Sequence, residues 1–204
     1  MKRAVLLDVF GTLVHFGIKR RPFVTLMRNL DRNREGLLRA RRRLMTSPVP
    51  SLRAAAEFLD EKPAEADIQA AERELEEHLA SCHLAEGTLP LLRQLRGEGF
   101  ALALISNLAS AYVPVLRRLG VHQLVDEATY SCEVGVVKPD PAIYGLTLEK
   151  LGVAPQNATM VGNSIRADVL GAKAAGLRAV WITENDDPAH VCLRGLADLR
   201  SVLP

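Results

Sequence analysis

From residue 87 onward the chain alternates short apolar runs with helical stretches, and this alternation limits the fold more than any other feature. "FALALIS" (100–106), "ATMVGN" (158–163) and "LRAVWIT" (177–183) read as strands. Between them, "GTLPLLRQLRGEG", "SAYVPVLRRLG" and "SIRADVLGAKAAG" read as helices, each closed by a glycine. In "DPAIYGLTLEKLG" Asp140 takes the N-cap position and Pro141 the first helical position. Strands separated by helices at this interval make βαβ units, whose parallel sheet is covered on both faces. "AVLLDVFGTLV" (4–14) reads as one more buried strand, and its apolar run ends on a single carboxylate, Asp8.

Residues 15–86 break that rhythm. They are charged and rich in Ala, Leu, Arg and Glu, with no convincing strand. "DIQAAERELEEHLASC" reads as one amphipathic helix with "SLRAAAEFLD" before it, and "TSPVPS" and "EKPAEA" supply the breaks. The expected architecture is α/β: a three-layer, Rossmann-like parallel sheet core from residues 1–14 and 87–204, with residues 15–86 inserted as a helical cap. A chain of 204 residues can bury roughly 70% of its unfolded surface, so its core needs no staples. Cys82, Cys132 and Cys192 lie far apart with no CxxC spacing and read as reduced thiols of a cytoplasmic protein. Asp8 cuts the first apolar run too early for a signal peptide, and no run approaches the length of a membrane span. A cytoplasmic location away from membranes is therefore expected.

Charge is uneven. Ten Lys or Arg and only two acids, Asp31 and Glu35, lie between Lys19 and Arg43, in a chain whose formal net charge is +2. In "RNREGLLRARRRLM" the spacing of Leu37, Leu38 and Leu44 is helical, so the arginines ring a helix. That helix is a solvated face, a basic wall over an anion site, or a nucleic-acid patch. Aromatic residues make up only 4% of the chain and none interleaves the arginines of "RNREGLLRARRRLM", which argues against nucleic acid as a partner. A small anionic substrate is the expected partner.

In open parallel sheets ligands sit beyond the carboxyl ends of the strands. The residues there are Asp8, Ser106 with Asn107, and Asn163 with Ser164, while Lys138 stands in the loop "EVGVVKPDP" ahead of a helix. A strand-end Asp can act as a nucleophile through an acyl-phosphate or ester intermediate. The Gly11 turn lets backbone N–H groups approach an anion, and the Thr12 hydroxyl can hold the carboxylate. Ser106 and the N–H groups that open the next helix form a second anion cradle. Lys138 adds a positive charge for the transferring group or for Asp8, and Asp168 can face a cation or lock Lys138. Taken alone, each residue has a plainer role: turn or cap for Asp8, N-cap for Ser106, solvated loop lysine for Lys138. Their order along the chain is what changes the reading.

In that order the chain resembles the haloacid dehalogenase-like hydrolase superfamily. "DVFGTLV" is similar to its first motif, "LALISN" to its second, "VKPDPAIY" to its third and "MVGNSIRADVLGAKAAG" to its fourth. The insertion after the first motif resembles the helical cap of one subgroup. The resemblance implies Asp8 as nucleophile, Ser106 as ligand of the substrate anion and Lys138 as the charge that steadies both. Thr12 and Asn107 would contribute to substrate binding. For phosphatase members it implies Mg²⁺ held by Asp8, the Phe10 carbonyl and Asn163, with Asp168 behind.

Two positions depart from the phosphatase pattern. Phe10 stands where most members have a second Asp that protonates the leaving alcohol, a role typically worth about 10²–10⁴-fold. Asn163 stands where an Asp is usual; an amide oxygen can ligate Mg²⁺ but supplies no charge. Three readings stay open: a Mg²⁺-dependent phosphatase of a small phosphorylated metabolite with a good leaving group; a metal-free 2-haloacid dehalogenase, whose members carry an aromatic residue at the Phe10 position; and an attenuated binding or regulatory protein on the same fold.

Overall fold

Residues Arg3–Leu7 form strand β1 because every side chain from Ala4 to Leu7 is apolar and both faces are buried. Ala4 and Leu6 enter one hydrophobic cluster, Val5 and Leu7 another, as the two-residue repeat of a strand requires. The computed structural model describes residues 2–27 and 34–204. Arg28, Asp31 and Arg32 of the basic run lie outside the described residues.

After β1 the chain makes a tight turn and enters β2 (Val14–Phe16), then four helices: α1 (Pro22–Leu26), α2 (Arg34–Met45), α3 (Leu52–Phe58) and α4 (Glu65–Ala80). It returns through β3 (Cys82–Leu84) to α5 (Thr88–Gly97) and β4 (Phe100–Ser106). Next come α6 (Val113–Arg118), β5 (Glu127–Tyr130), α7 (Ser131–Val134), α8 (Pro141–Leu151) and β6 (Ala158–Gly162). A π-helical segment, Ile165–Leu170, runs into α9 (Gly171–Ala174), followed by β7 (Arg178–Ile182), β8 (Val191–Leu193) and α10 (Leu199–Val202).

Six strands form one parallel sheet in the order β5-β4-β1-β6-β7-β8. The fold is α/β and Rossmann-like, as the alternation of strands and helices leads one to expect. Strand β1 sits between β4 and β6, so the chain moves outward on one side of β1 and then on the other. That reversal opens a crevice at the carboxyl ends of these three strands.

The stretch 15–86 is not purely helical. β2 and β3 pair antiparallel, with Val14 opposite Leu84, His15 opposite His83 and Phe16 opposite Cys82. The outgoing and returning chains thus form a two-stranded ribbon beneath the helices. Strands of three residues carry too little alternation to be seen in a sequence, and each of these is held by its partner. The helices above the ribbon bury a cluster of their own, including Leu26, Leu44, Leu52 and Ile68. Of the three leucines in the basic helix, Leu44 joins that cluster while Leu37 and Leu38 stay exposed. Among the described residues no helix is long and apolar enough to cross a membrane.

Candidate active site

Asp8 is the first residue after β1. Its N–H donates to the Val161 carbonyl (2.9 Å), which extends the β1–β6 ladder by one rung and holds the residue at the crevice. The chain then coils back on itself: Leu13 and Val14 both donate to the Val9 carbonyl, and Gly11 donates to Val14. Gly11 has φ +86, a conformation other residues rarely adopt, and a Cβ there would fall 2.1 Å from Asn163 Nδ2 and push that amide aside. Thr12 is buried, and its hydroxyl donates to Asp8 Oδ2 (3.2 Å).

Lys138 arrives from a distant loop and is only 4% exposed. Its ammonium donates to Asp8 Oδ1 (2.8 Å), Asp168 Oδ1 (2.6 Å) and the Ile105 carbonyl (2.8 Å). Three protons meet three acceptors, so the buried charge is fully satisfied. Burial pulls Lys138 downward, but the carboxylates of Asp8 and Asp168 outweigh it and hold the group above its ordinary value. The Asn107 side chain fixes the loop: its Oδ1 accepts from Lys138 N–H (2.7 Å) and its Nδ2 donates to the Lys138 carbonyl (2.8 Å). Both ends of the Asn107 amide are spent on positioning Lys138.

Asp168 is fully buried at the start of the π-helical segment. One oxygen accepts from Lys138 and the other from the Ser164 N–H (2.8 Å). Burial pushes its carboxyl upward, against the opposing pull of Lys138. A Cβ at Gly162 would fall 2.4 Å from the Asp168 carboxyl carbon, so a glycine at the end of β6 is needed to admit this side chain. Of the two roles the sequence left open for Asp168, the geometry is that of an anchor for Lys138. Ser106 ends β4, next to β1 in the sheet. Among the described residues nothing hydrogen-bonds to its Oγ.

Phe10 turns away from this charged cluster into a wall of rings. It stacks on Phe16 of β2 (centroids 4.9 Å, planes 8° apart), and Phe16 stacks on His78 of α4 (3.9 Å, 12°). Tyr112 presents itself edge-on to all three, at 5.5, 6.3 and 6.0 Å. The wall bounds a cavity of about 880 Å³ that also reaches Asn107 and Leu108 after β4 and the inner sides of α1 and α2. Phe16, His78 and Tyr112 escape sequence reasoning because they come from three segments with no common spacing.

The family model of haloacid dehalogenase-like hydrolases matches residues 2–176. The chain belongs to that family. Among curated haloacid dehalogenase-like relatives, the phosphoserine phosphatase of Thermus thermophilus is 39% identical over 119 residues, which are 54% of this chain and 46% of that protein. A glyceraldehyde 3-phosphate phosphatase of Methanopyrus kandleri is 42% identical over 95 residues, 46% of this chain and 41% of that protein. The match thus spans about half the length of these relatives or less. A crystal structure of a HAD phosphatase from Thermococcus onnurineus superposes with a TM-score of 0.69 at 25% identity, covering 99% of this chain and 97% of that one. A 2-haloacid dehalogenase from Pseudomonas syringae pv. Tomato, at 22% identity and TM-score 0.67, covers 99% of this chain and 98% of that one and shows likeness of fold.

In this haloacid dehalogenase-like chain the donors available to a Mg²⁺ ion are few. Among the described residues no group of three or more His, Cys, Asp or Glu is placed to hold a metal. The Phe10 carbonyl accepts no hydrogen bond among the described residues, and the Asn163 amide lies against the same turn. With Asp8 these give one carboxylate and two neutral oxygens, all hard donors. Asp8, Asp168 and Lys138 together leave one net negative charge beside them. Such a set fits Mg²⁺, which commonly takes one or two carboxylates and completes its shell with waters and substrate phosphate.

Proposed function

We propose that the chain is a hydrolase working through a covalent intermediate on Asp8, acting as a phosphatase on a small phosphorylated compound with a good leaving group. The observation that carries this reading is the Lys138 ammonium, which bridges Asp8 and Asp168 at the carboxyl end of the central strand. A nucleophilic carboxylate must meet an anionic substrate without repulsion, and Lys138 supplies the offsetting charge at hydrogen-bond distance. Residues 1–14 and 87–204 form the catalytic core on this reading, and residues 15–86 act as its cap.

Asp8 attacks phosphorus in line: a carboxylate oxygen forms the new P–O bond as the bond to the leaving group breaks. Thr12 orients the carboxylate. Ser106 Oγ and the Asn107 backbone N–H hold phosphoryl oxygens, where charge spreads in the transition state. Phe10 has no proton to give, so the leaving group departs as its anion. Water then attacks the aspartyl phosphate, releasing inorganic phosphate and restoring the Asp8 carboxylate. Mg²⁺ held by Asp8, the Phe10 carbonyl and Asn163 would neutralise phosphate charge.

The reading predicts faster turnover of aryl or acyl phosphates than of simple alkyl phosphates. Phe10→Asp should raise alkyl turnover toward the aryl rate, within the roughly 10²–10⁴-fold that a general acid supplies, and Asp8→Asn should abolish both. Steady-state phosphate release checks this. Equal aryl and alkyl rates in the unmodified protein, or an unmoved alkyl rate in Phe10→Asp, would overturn the leaving-group argument. The ring at position 10 favours one other reading, dehalogenation at carbon, which needs no leaving-group proton. Chloride release from 2-chloropropionate with chelator present would establish that reaction instead. Retained anion binding with no turnover of either substrate class would assign the fold a binding role.

A further inference from the structure

The cavity that reaches Phe10, in the turn after Asp8, and Asn107, after Ser106, has a distinctive lining. Its inner wall is aromatic, from Phe10, Phe16 and Tyr112. Facing that wall, three apolar side chains lie uncovered although they line the same space: Val24 is 58% exposed, Leu37 38% and Leu38 56%. Apolar surface kept open inside a cavity gains when an apolar body fills it. A sugar or other polyol would lose its hydration there, with few hydroxyl partners offered in return.

Charge narrows the class further. No Asp or Glu among the described residues lines the cavity, whereas Arg20, Arg21 and Arg41 do. Arg20 is committed to Glu77 at 2.9 Å. Arg21 and Arg41 make no ion pair among the described residues, which leaves two uncommitted cations among the residues that line the cavity. A carboxylate or second phosphate on the far side of the ligand meets them with charge-assisted hydrogen bonds.

We propose that the substrate pairs its reacting phosphate with a flat apolar body, aryl or aroyl, that carries a second anionic group. The body packs between the Phe10–Phe16–Tyr112 wall and the leucines of α2, and the second anion meets Arg21 and Arg41. The inference rests on the phosphatase reading of Asp8 for the position of the phosphate, and it adds the chemistry of the rest of the molecule.

Binding of unreactive phosphonates tests it separately from catalysis. Calorimetry on the full chain with Mg²⁺ should rank benzylphosphonate about tenfold tighter than methylphosphonate, the gain expected from burying a ring. 4-Carboxybenzylphosphonate should bind about fivefold tighter again. Leu38→Gln, at a surface-accessible position that folding tolerates, should shrink the benzyl advantage, and Arg41→Gln should erase the carboxylate advantage. Equal affinities for methyl and benzyl compounds would overturn the apolar body. A carboxylate gain that is absent, or that persists in the Arg21→Gln/Arg41→Gln double variant, would overturn the second anion. Hydrolysis of acetyl phosphate, whose small acyl group asks nothing of the cavity, reports on the reaction alone. The benzyl ranking without that hydrolysis supports the ligand class and removes the phosphatase reading; hydrolysis without the ranking does the reverse.

Discussion

Lys138 has three ammonium protons and three acceptors, and two of those acceptors are carboxylates with little other charge compensation. Removing the cation would leave Asp8 and Asp168 facing each other inside the protein. Truncating one partner of a buried ion pair typically costs about 3–5 kcal/mol, so Lys138→Met should lower the unfolding free energy by that much, read from urea titrations. Adding Asp168→Asn to Lys138→Met should recover part of the loss, because one uncompensated charge disappears. A Lys138→Met protein as stable as the parent would mean that the ion pair carries no such burden. Asp8 and Lys138 were legible in the sequence because a carboxylate ending an apolar run and a lysine before a proline-capped helix fall in a known order. The neighbours of Phe10 were not: only the folded chain reveals that position 10 belongs to an aromatic wall. Asn107 shows a subtler limit. Its place after a strand suggested anion binding, yet its side chain is used to hold the backbone of Lys138.

Helix α8 follows the lysine loop directly, and its start shows how local chemistry positions the site. Asp140 accepts from the Ala142 N–H (3.0 Å) with Pro141 at the first helical position, as its sequence led us to expect. Asp140→Ala should destabilise the protein by about 1 kcal/mol, the usual cost of an N-cap, measured as a shift in the denaturation midpoint. A larger loss would mean that the cap also braces the loop carrying Lys138. Buried strands of five or more residues, β1, β4, β6 and β7, could be read from their apolar runs. β5 and β8 escaped for a physical reason. Both are short edge strands with half-buried or exposed positions, so their hydrogen bonds come from a neighbour and leave little trace in composition. The β2–β3 ribbon is the same case inside a stretch otherwise read as helical.

For the molecule as a whole, groups that stay protonated in the fold limit stability at alkaline pH: Tyr130, Tyr144, Cys82 and Cys132, together with Lys138 and the half-buried Tyr112. Burial pushes the Tyr112 hydroxyl up to about 12, against an ordinary value near 10. Above pH ~10 the unfolded chain gives up this proton while the folded chain keeps it, so the Tyr112 contribution is full below ~10 and is lost as pH rises toward 12. Lys138, held above its ordinary value by Asp8 and Asp168, acts in the same direction. Urea midpoints across pH 8–12 should show a plateau and then a decline, and Tyr112→Phe should make the decline shallower; parallel curves for the two proteins would contradict this. The ribbon has a separate consequence for engineering. Phe16 and Cys82 face each other across one rung although the chain makes a detour of more than sixty residues between them. Their backbones are already about as close as the ends of a tight hairpin. A two-residue Asn-Gly link could therefore replace the whole excursion, leaving the parallel sheet with every crossover intact and the charged cluster open to bulk water.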